Sequence, residues 1–422
     1  MIPGTKIVFS CCLLLLSVVS LPQTSHSFYA WGDQSSDDAG DKTNSGELRG
    51  LLRGFGIALQ NPDSPSLFDQ KNIAGAGAVA RLMLDADLGQ PLSFEMHTVQ
   101  GYIPNDLQSG GSRLPIAPGV ERSDALDWSF ANRQAHFLID RLNMQYTSDQ
   151  LHIKVGRQPV NLAATLFFTP NDFFAPFAAQ TFYRSYKPGV DALRADIQFG
   201  GLSQLSLISV LAYKQTPSGD SGWSNRPDIS RTSYLARAST VFQDFEWALL
   251  GGVVRKDQVI GGDFQGELFE WLGVRGEGHI TFPNVSARKH YTEFSLALEH
   301  RWENTFTLQL EQFYHGSGST SVTAYNSLPA SNSQSSYRAR HYTALGASYE
   351  FTALLTANAT AIRNGVDHSS LLALYATYSL SDESELALNA NLPFGKKPAG
   401  PTIRSEFGTL PYSFSMEARI YF

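Results

Sequence analysis

The chain has 422 residues, 32 basic against 39 acidic, a formal net charge of -7 and a hydrophobic share of 42%. That balance carries no electrostatic footprint for nucleic acid, so no nucleic-acid partner is expected. The length calls for two or three soluble domains unless one large barrel absorbs it.

The amino terminus, "MIPGTKIVFSCCLLLLSVVSLPQTSHS", sets Lys6 before an apolar run from Ile7 to Leu21 and ends on small residues at Ser25 and Ser27. This is the layout of a cleaved secretory signal over residues 1–27. Cys11 and Cys12, the two cysteines of the chain, precede most of the apolar run, whereas a lipoprotein signal places its cysteine after it. Both leave with the signal. The mature chain then has no thiol for a disulfide, a cysteine zinc site, an iron–sulfur cluster or CxxCH haem attachment, and no cofactor or metal is expected. The string "WGDQSSDDAGDKTNSGE", from Trp31 to Glu47, has a Ser and Asp content that implies a disordered periplasmic stretch over residues 28–46. No later apolar run approaches the roughly 20 residues that a spanning helix needs.

Residues 47–422 repeat one unit: an alternating segment of about ten residues, a short turn, and a second alternating segment. The first strand lies near "GELRGLLRGFGIALQ". Alternation continues through "VARLMLDADL", which makes "GAGAVA" at Gly75 to Ala80 a strand and not a dinucleotide fingerprint. Hairpins follow in "LIDRLNMQYTSDQLHIKVGRQ", "ALRADIQFGGLSQLSLISVLAY" and "SYLARASTVFQDFEWALLGGVV". Two strands are assumed in "RKDQVIGGDFQGELFEWLGVRGEGHITF", which shows no clean turn. The clearest hairpin is "TEFSLALEHRWENTFTLQLEQFYHG". Phe294, Leu296, Leu298, His300 and Trp302 share one face of it, and Glu293, Ser295, Ala297, Glu299 and Arg301 the other. "LLALYATYSLSDESELALNANLPF" repeats the pattern. Tight turns at one end alternate with long polar connections at the other. The expected fold is therefore all-β: a transmembrane antiparallel barrel of about eighteen strands, with sixteen as the alternative, in a Gram-negative outer membrane. Short periplasmic turns and long extracellular loops go with it.

The closing strand, "PYSFSMEARIYF", alternates down to the terminal residue. Tyr412, Phe414, Ile420 and Phe422 on its apolar face resemble the C-terminal signal read by the barrel-assembly machinery of Gram-negative bacteria. That machinery is an expected partner, beside outer-membrane lipid and lipopolysaccharide.

By parity the lumen-facing charges are Arg141, Lys154, Arg194, Arg237, Arg301 and Arg419 against Asp196, Glu246, Glu293, Glu299, Glu311, Glu385 and Glu417. Mixed signs imply weak selectivity or ion pairs across neighbouring strands. His152, His315 and His341 are too scattered for a metal or a triad, and no motif points to an enzyme.

One connection is unlike the rest. Residues 160–189 carry Phe167, Phe168, Phe173, Phe174, Phe177, Phe182 and Tyr183, too aromatic for a solvated loop. The nearest place for it to bury is the inside of its own barrel. The expectation is an inward constriction, with Arg157, Arg184, Lys187, Asp191, Arg194 and Asp196 clustered where the loop leaves and rejoins the wall. The alternative is an outward loop packing on a partner or on lipopolysaccharide. Candidate pore residues are thus Arg141, Lys154, Arg157, Asp172, Arg184, Lys187, Asp191, Arg194, Asp196, Glu299, Arg301 and Glu311.

"GRQ", then "PNDFFAPF", then "FYRSYKPGVDALRAD" resemble, over Leu151 to Gln198, the alginate-export and related porin-like barrels, and also the porin-like barrels of porin–cytochrome complexes. The first resemblance implies an eighteen-stranded pore with a basic lining for a polyanion, from which this chain departs because acids match bases inside. The second implies a sheath around a multihaem partner that would own all the haems. The leading expectation is a passive channel for ions or small hydrophilic solutes. The electron-conduit sheath and a polysaccharide export pore are the alternatives.

Overall fold

Because side chains alternate across a strand, a chain of alternating segments can satisfy lipid on one side and water on the other only by closing on itself. The computed structural model describes residues 46–102, 124–126, 129–132 (backbone alone), 135–214, 226–286, 288–326 and 337–422. The expected signal at 1–27 and all but Gly46 of the stretch 28–46 lie outside the described residues.

The strands run β1 (Gly46–Gln60), β2 (Asn72–Asp87), β3 (Leu92–Tyr102), β4 (Ser129–Asn132), β5 (Ala135–Thr147), β6 (Leu151–Gln158), β7 (Val190–Phe199), β8 (Ser203–Val210), β9 (Ser233–Phe242) and β10 (Phe245–Val254). They continue as β11 (Asp257–Leu268), β12 (Leu272–Phe282), β13 (Tyr291–Arg301), β14 (Thr307–His315), β15 (His341–Thr352), β16 (Leu355–Asn364), β17 (Ser370–Ser381), β18 (Ser384–Phe394) and β19 (Tyr412–Tyr421). Each pairs antiparallel with its successor except around β4. There β3 pairs directly with β5, and β4 takes the edge of β5 that β6 leaves beyond Leu142. β1 pairs with β2 and with β19, from Leu51 opposite Tyr421 to Gln60 opposite Tyr412. The ring is thus a closed barrel of 18 strands.

The segment without a readable turn divides at Phe269 and Glu270, whose φ values of 59° and 61° give the two-residue turn that a hairpin twist favours. Gln243 and Asp244 do the same between β9 and β10, and so do Arg255 and Lys256 between β10 and β11. This last turn lies at the long-loop end, as does the five-residue connection 365–369 between β16 and β17, so the segregation of turn lengths has two breaks.

The outer surface is apolar. Leu249 is 75% exposed while its neighbour Leu250 is 3% exposed, the difference between facing lipid and facing a packed interior. At the short-turn end Trp247 stacks on Phe264, and Trp302 meets His300 at 4.2 Å and Phe306 at 5.3 Å. With exposed Phe242, Phe269 and Phe351 these form the aromatic girdle expected where a barrel leaves the hydrocarbon. This is the surface of a membrane-spanning barrel.

Candidate pore constriction

Residues 159–189 contain no helix or strand, so every buried N–H in them needs a partner from elsewhere. The wall supplies it through two carboxylates. Glu277 on β12 accepts the N–H groups of Ala164, Thr165 (2.8 Å) and Asn171 (2.9 Å). Glu311 on β14 accepts those of Leu166 (2.9 Å), Phe167 (2.8 Å) and Phe168 (2.7 Å), together with the Ser295 hydroxyl (2.6 Å). Both are buried. The Asn171 amide donates to the Gly262 carbonyl at 3.0 Å, and Arg255 donates to that of Phe173 at 3.0 Å.

Two apolar clusters complete the hold. Val160, Leu162, Phe173 and Phe174 pack on Val190, Ile208, Leu235, Leu250 and Val259 of β7 to β11. Leu166, Phe167 and Phe168 pack on Phe313, Tyr342, Ala344, Ile362 and Leu371 of β14 to β17, with Phe168 stacked on Phe313 at 4.9 Å. Gly346 leaves the space that the Phe167 ring fills, which any Cβ would obstruct. Tyr325, Ile403 and Phe407, from the connections after β14 and β18, join this cluster.

Glu406 stitches those connections. It accepts from the Tyr342 hydroxyl (2.5 Å), the Asn364 amide (2.7 Å) and the Arg338 N–H (3.0 Å), and its own N–H donates to Asp367 (2.6 Å). Burial pushes its carboxyl up to about 7.

The segment then reaches the opposite wall through rings. Phe182 stacks on Tyr375 of β17 at 5.1 Å, Tyr183 lies 3.9 Å beneath the Arg419 guanidinium of β19, and Tyr186 lies 4.3 Å beneath that of Arg81 on β2. Residues 160–189 therefore touch inward-facing side chains on both sides of the barrel.

The sequence-derived candidates fall into separate groups. Arg157, fully buried, donates to Asp191 at 2.8 and 3.1 Å and to the Ile139 and Leu126 carbonyls, joining the bases of β6 and β7 to the wall. Lys187 pairs with Asp172 inside the segment. Arg184 donates to the carbonyls of Leu166 (2.6 Å), Thr181 (2.7 Å) and Ala179 (3.2 Å), bracing the segment against itself. Arg194 pairs with Asp196 at 2.8 Å, further along β7. These six are not one cluster, because β7 carries Arg194 and Asp196 away from the loop. Arg141 and Lys154 meet at Glu95, at 2.9 and 3.6 Å. Glu299 accepts from Gln309 at 2.5 Å, and Arg301 pairs with Glu350 at 3.1 Å. Glu311 is a loop anchor. On β19, Phe414 and Ile420 are exposed and Tyr412 is half-buried, and just past its end the exposed Phe422 exchanges both backbone bonds with Gly50 of β1.

Several important residues escaped the sequence reading. Glu277 escaped because the phase of β12 is unreadable without its turn. Glu95 and Arg81 were also missed: Arg81 pairs with Asp140 at 2.6 Å, and Arg419 pairs with Glu385 at 2.6 Å and Glu417 at 2.8 Å. Arg53 and Arg419 stand directly opposite in register, and Glu417 bridges them, 3.0 Å from Arg53. Asp85, Glu95 and His97 converge, but Arg49, Arg141 and Lys154 already hold the two carboxylates, which suits a cation poorly.

No family model matches the sequence, and no curated protein is similar to it. Among solved structures, Acinetobacter baumannii OccAB3 aligns at a TM-score of 0.58 and 11% identity, over 89% of this chain and 99% of that one. Pseudomonas aeruginosa OccK8 (OprE) aligns at 0.55 and 11%, over 89% and 98%. These are outer-membrane porins, and the likeness shows a shared porin-like barrel fold.

Proposed function

We propose that the barrel is a passive channel for ions or small hydrophilic solutes, narrowed by residues 160–189. The observation that carries this reading is the pinning of that segment to the inner wall by Glu277 and Glu311, with its rings reaching Tyr375, Arg419 and Arg81. It fills the side of β7 to β17 and leaves the side of β17 to β19 and β1 to β6, lined by Arg53, Arg81, Arg141, Lys154 and Arg419 against Glu95, Glu385 and Glu417. Alternating signs offer either ion a counter-charge at each step, so the lining biases diffusion without powering it. A sheath would need that space for its multihaem partner, and an exported polyanion would meet three carboxylates on the open side. Both readings rank below the channel.

The test is single-channel conductance of the purified chain in a planar bilayer, with a haem spectrum of the same sample. Steady open steps without haem are expected. A silent bilayer with a bound cytochrome would overturn the reading. We also propose that the outward Phe414, Ile420 and Phe422 serve assembly. Deleting Phe422, and with it the last pair to Gly50, should lower the folded yield in cells, and an unchanged yield would refute that role.

A further inference from the structure

The lipid-facing surface of β15 to β19 differs from the rest of the apolar band. Ala357, Ala359, Ala376 and Ala390 floor a groove of about 390 Å³, with Leu388 and Phe414 among its walls. They are neighbours in register: Ala357 opposite Ala376 and Ala376 opposite Leu388, Ala359 opposite Leu374 and Leu374 opposite Ala390. Above this hollow stands positive charge. Arg363 lies four residues beyond Ala359 on β16, about 13 Å higher at the rise of a strand, on the same outward face and exposed. Thr343, Arg363, Ser370 and Phe394 form one row across β15 to β18. Lys396 and Lys397 follow Phe394, both exposed, and the Lys397 ammonium sits 4.7 Å from the Tyr412 ring.

Among the described residues no carboxylate pairs with any of these three cations. The inward arginines 53, 81, 141, 157, 194, 237 and 419 each hold one. Unpaired cations at the long-loop rim, over an apolar groove that starts two rows below, complement an anionic headgroup with acyl chains beneath it.

We propose that this face docks a phosphorylated glycolipid of the outer leaflet, with its phosphate on Arg363, Lys396 and Lys397 and an acyl chain in the alanine groove. The proposal rests on the outer-membrane placement of the barrel and is independent of whether the lumen conducts.

The test uses the full chain, refolded in lipid-free detergent, and three probes: a synthetic bisphosphorylated lipid A, its dephosphorylated form, and inorganic phosphate. Binding is read by native mass spectrometry and by titration. Each cation near an anionic surface is worth about fivefold in affinity. The triple variant R363Q/K396Q/K397Q should therefore lose on the order of a hundredfold for the bisphosphorylated probe. On the unmodified protein, the dephosphorylated probe should bind more weakly by a similar factor. A359W/A376W, which fills the groove, should weaken both lipids alike, and inorganic phosphate should displace neither. Three outcomes would overturn the proposal. One is equal binding of the two lipids to the unmodified protein. Another is displacement by inorganic phosphate, which would mark a bare anion site. The third is that A359W/A376W dissociates an oligomer while lipid affinity stays unchanged, which would make this face a contact between copies of the chain.

Discussion

Two halves of one lumen obey different chemistry. From β7 to β17 the inner wall is apolar where the loop meets it, with Leu250, Phe313, Tyr342, Ala344 and Ile362 buried, and polar at the two carboxylates that hold the loop and at Gly262, His279 and Arg255, which meet Asn171 and Phe173. From β17 through β19 and β1 to β6 the wall carries ion pairs across neighbouring strands, and the loop touches it through aromatic rings under guanidinium groups. The first half resembles a protein core and the second a wetted surface. The difference follows from what each side must satisfy. A buried irregular backbone needs acceptors and apolar cover, and a solute path needs charges that compensate one another.

The largest effect should come from removing the anchors. E277A/E311A leaves six buried N–H groups without acceptors, each costing about 1–3 kcal/mol, so the segment should leave the wall. Single-channel conductance should then rise by about twofold or more, and an unchanged current would separate the segment from the constriction. Next, F168A empties the space against Phe313. It should lower the stability of the folded barrel by about 3 kcal/mol, read as a lower Tm, whereas a wet-side change such as S415A should leave Tm within error. Third, R419Q leaves Glu385 without a cation on the open side and Glu417 with Arg53 alone. In a salt gradient the reversal potential should move toward cation preference by several millivolts. Equal selectivity would place the ion path elsewhere.

The smallest effect is a pH dependence. Because burial raises Glu406 from 4.5 to about 7, its stitch is complete below the ordinary carboxylate range and is lost as pH rises through about 7. Current noise from the extracellular connections should grow between pH 6 and 8. Glu406→Gln should hold it low at both, and noise independent of pH in the unmodified protein would refute the stitch.

Most of the barrel was legible because period two survives in almost every strand, and because residues 160–189 are too aromatic for water. What stayed hidden has local causes. Phe269 and Glu270 make a hairpin turn with none of the Gly, Asn or Asp that announce one, and losing that turn lost the phase of Glu277. Arg255 and Lys256 close another such turn at the long-loop end, where a long connection was expected. Arg184 resembles a pore charge in sequence, and nothing local says that its donors turn back onto three carbonyls of its own segment. Arg194 and Asp196 are close to the loop in sequence, but β7 carries them down the wall.

The asymmetry itself is best tested by thiol accessibility. The two cysteines lie at positions 11 and 12, so single cysteines can be introduced at Ser413, Ser415 and Glu417 on one wall and at Ala344, Ile362 and Ala373 on the other. They are then labelled in bilayers with a small charged methanethiosulfonate reagent. The first three should react within seconds and reduce the current, and the second three should resist until E277A/E311A is added. Comparable rates on both walls of the unmodified barrel would contradict the account.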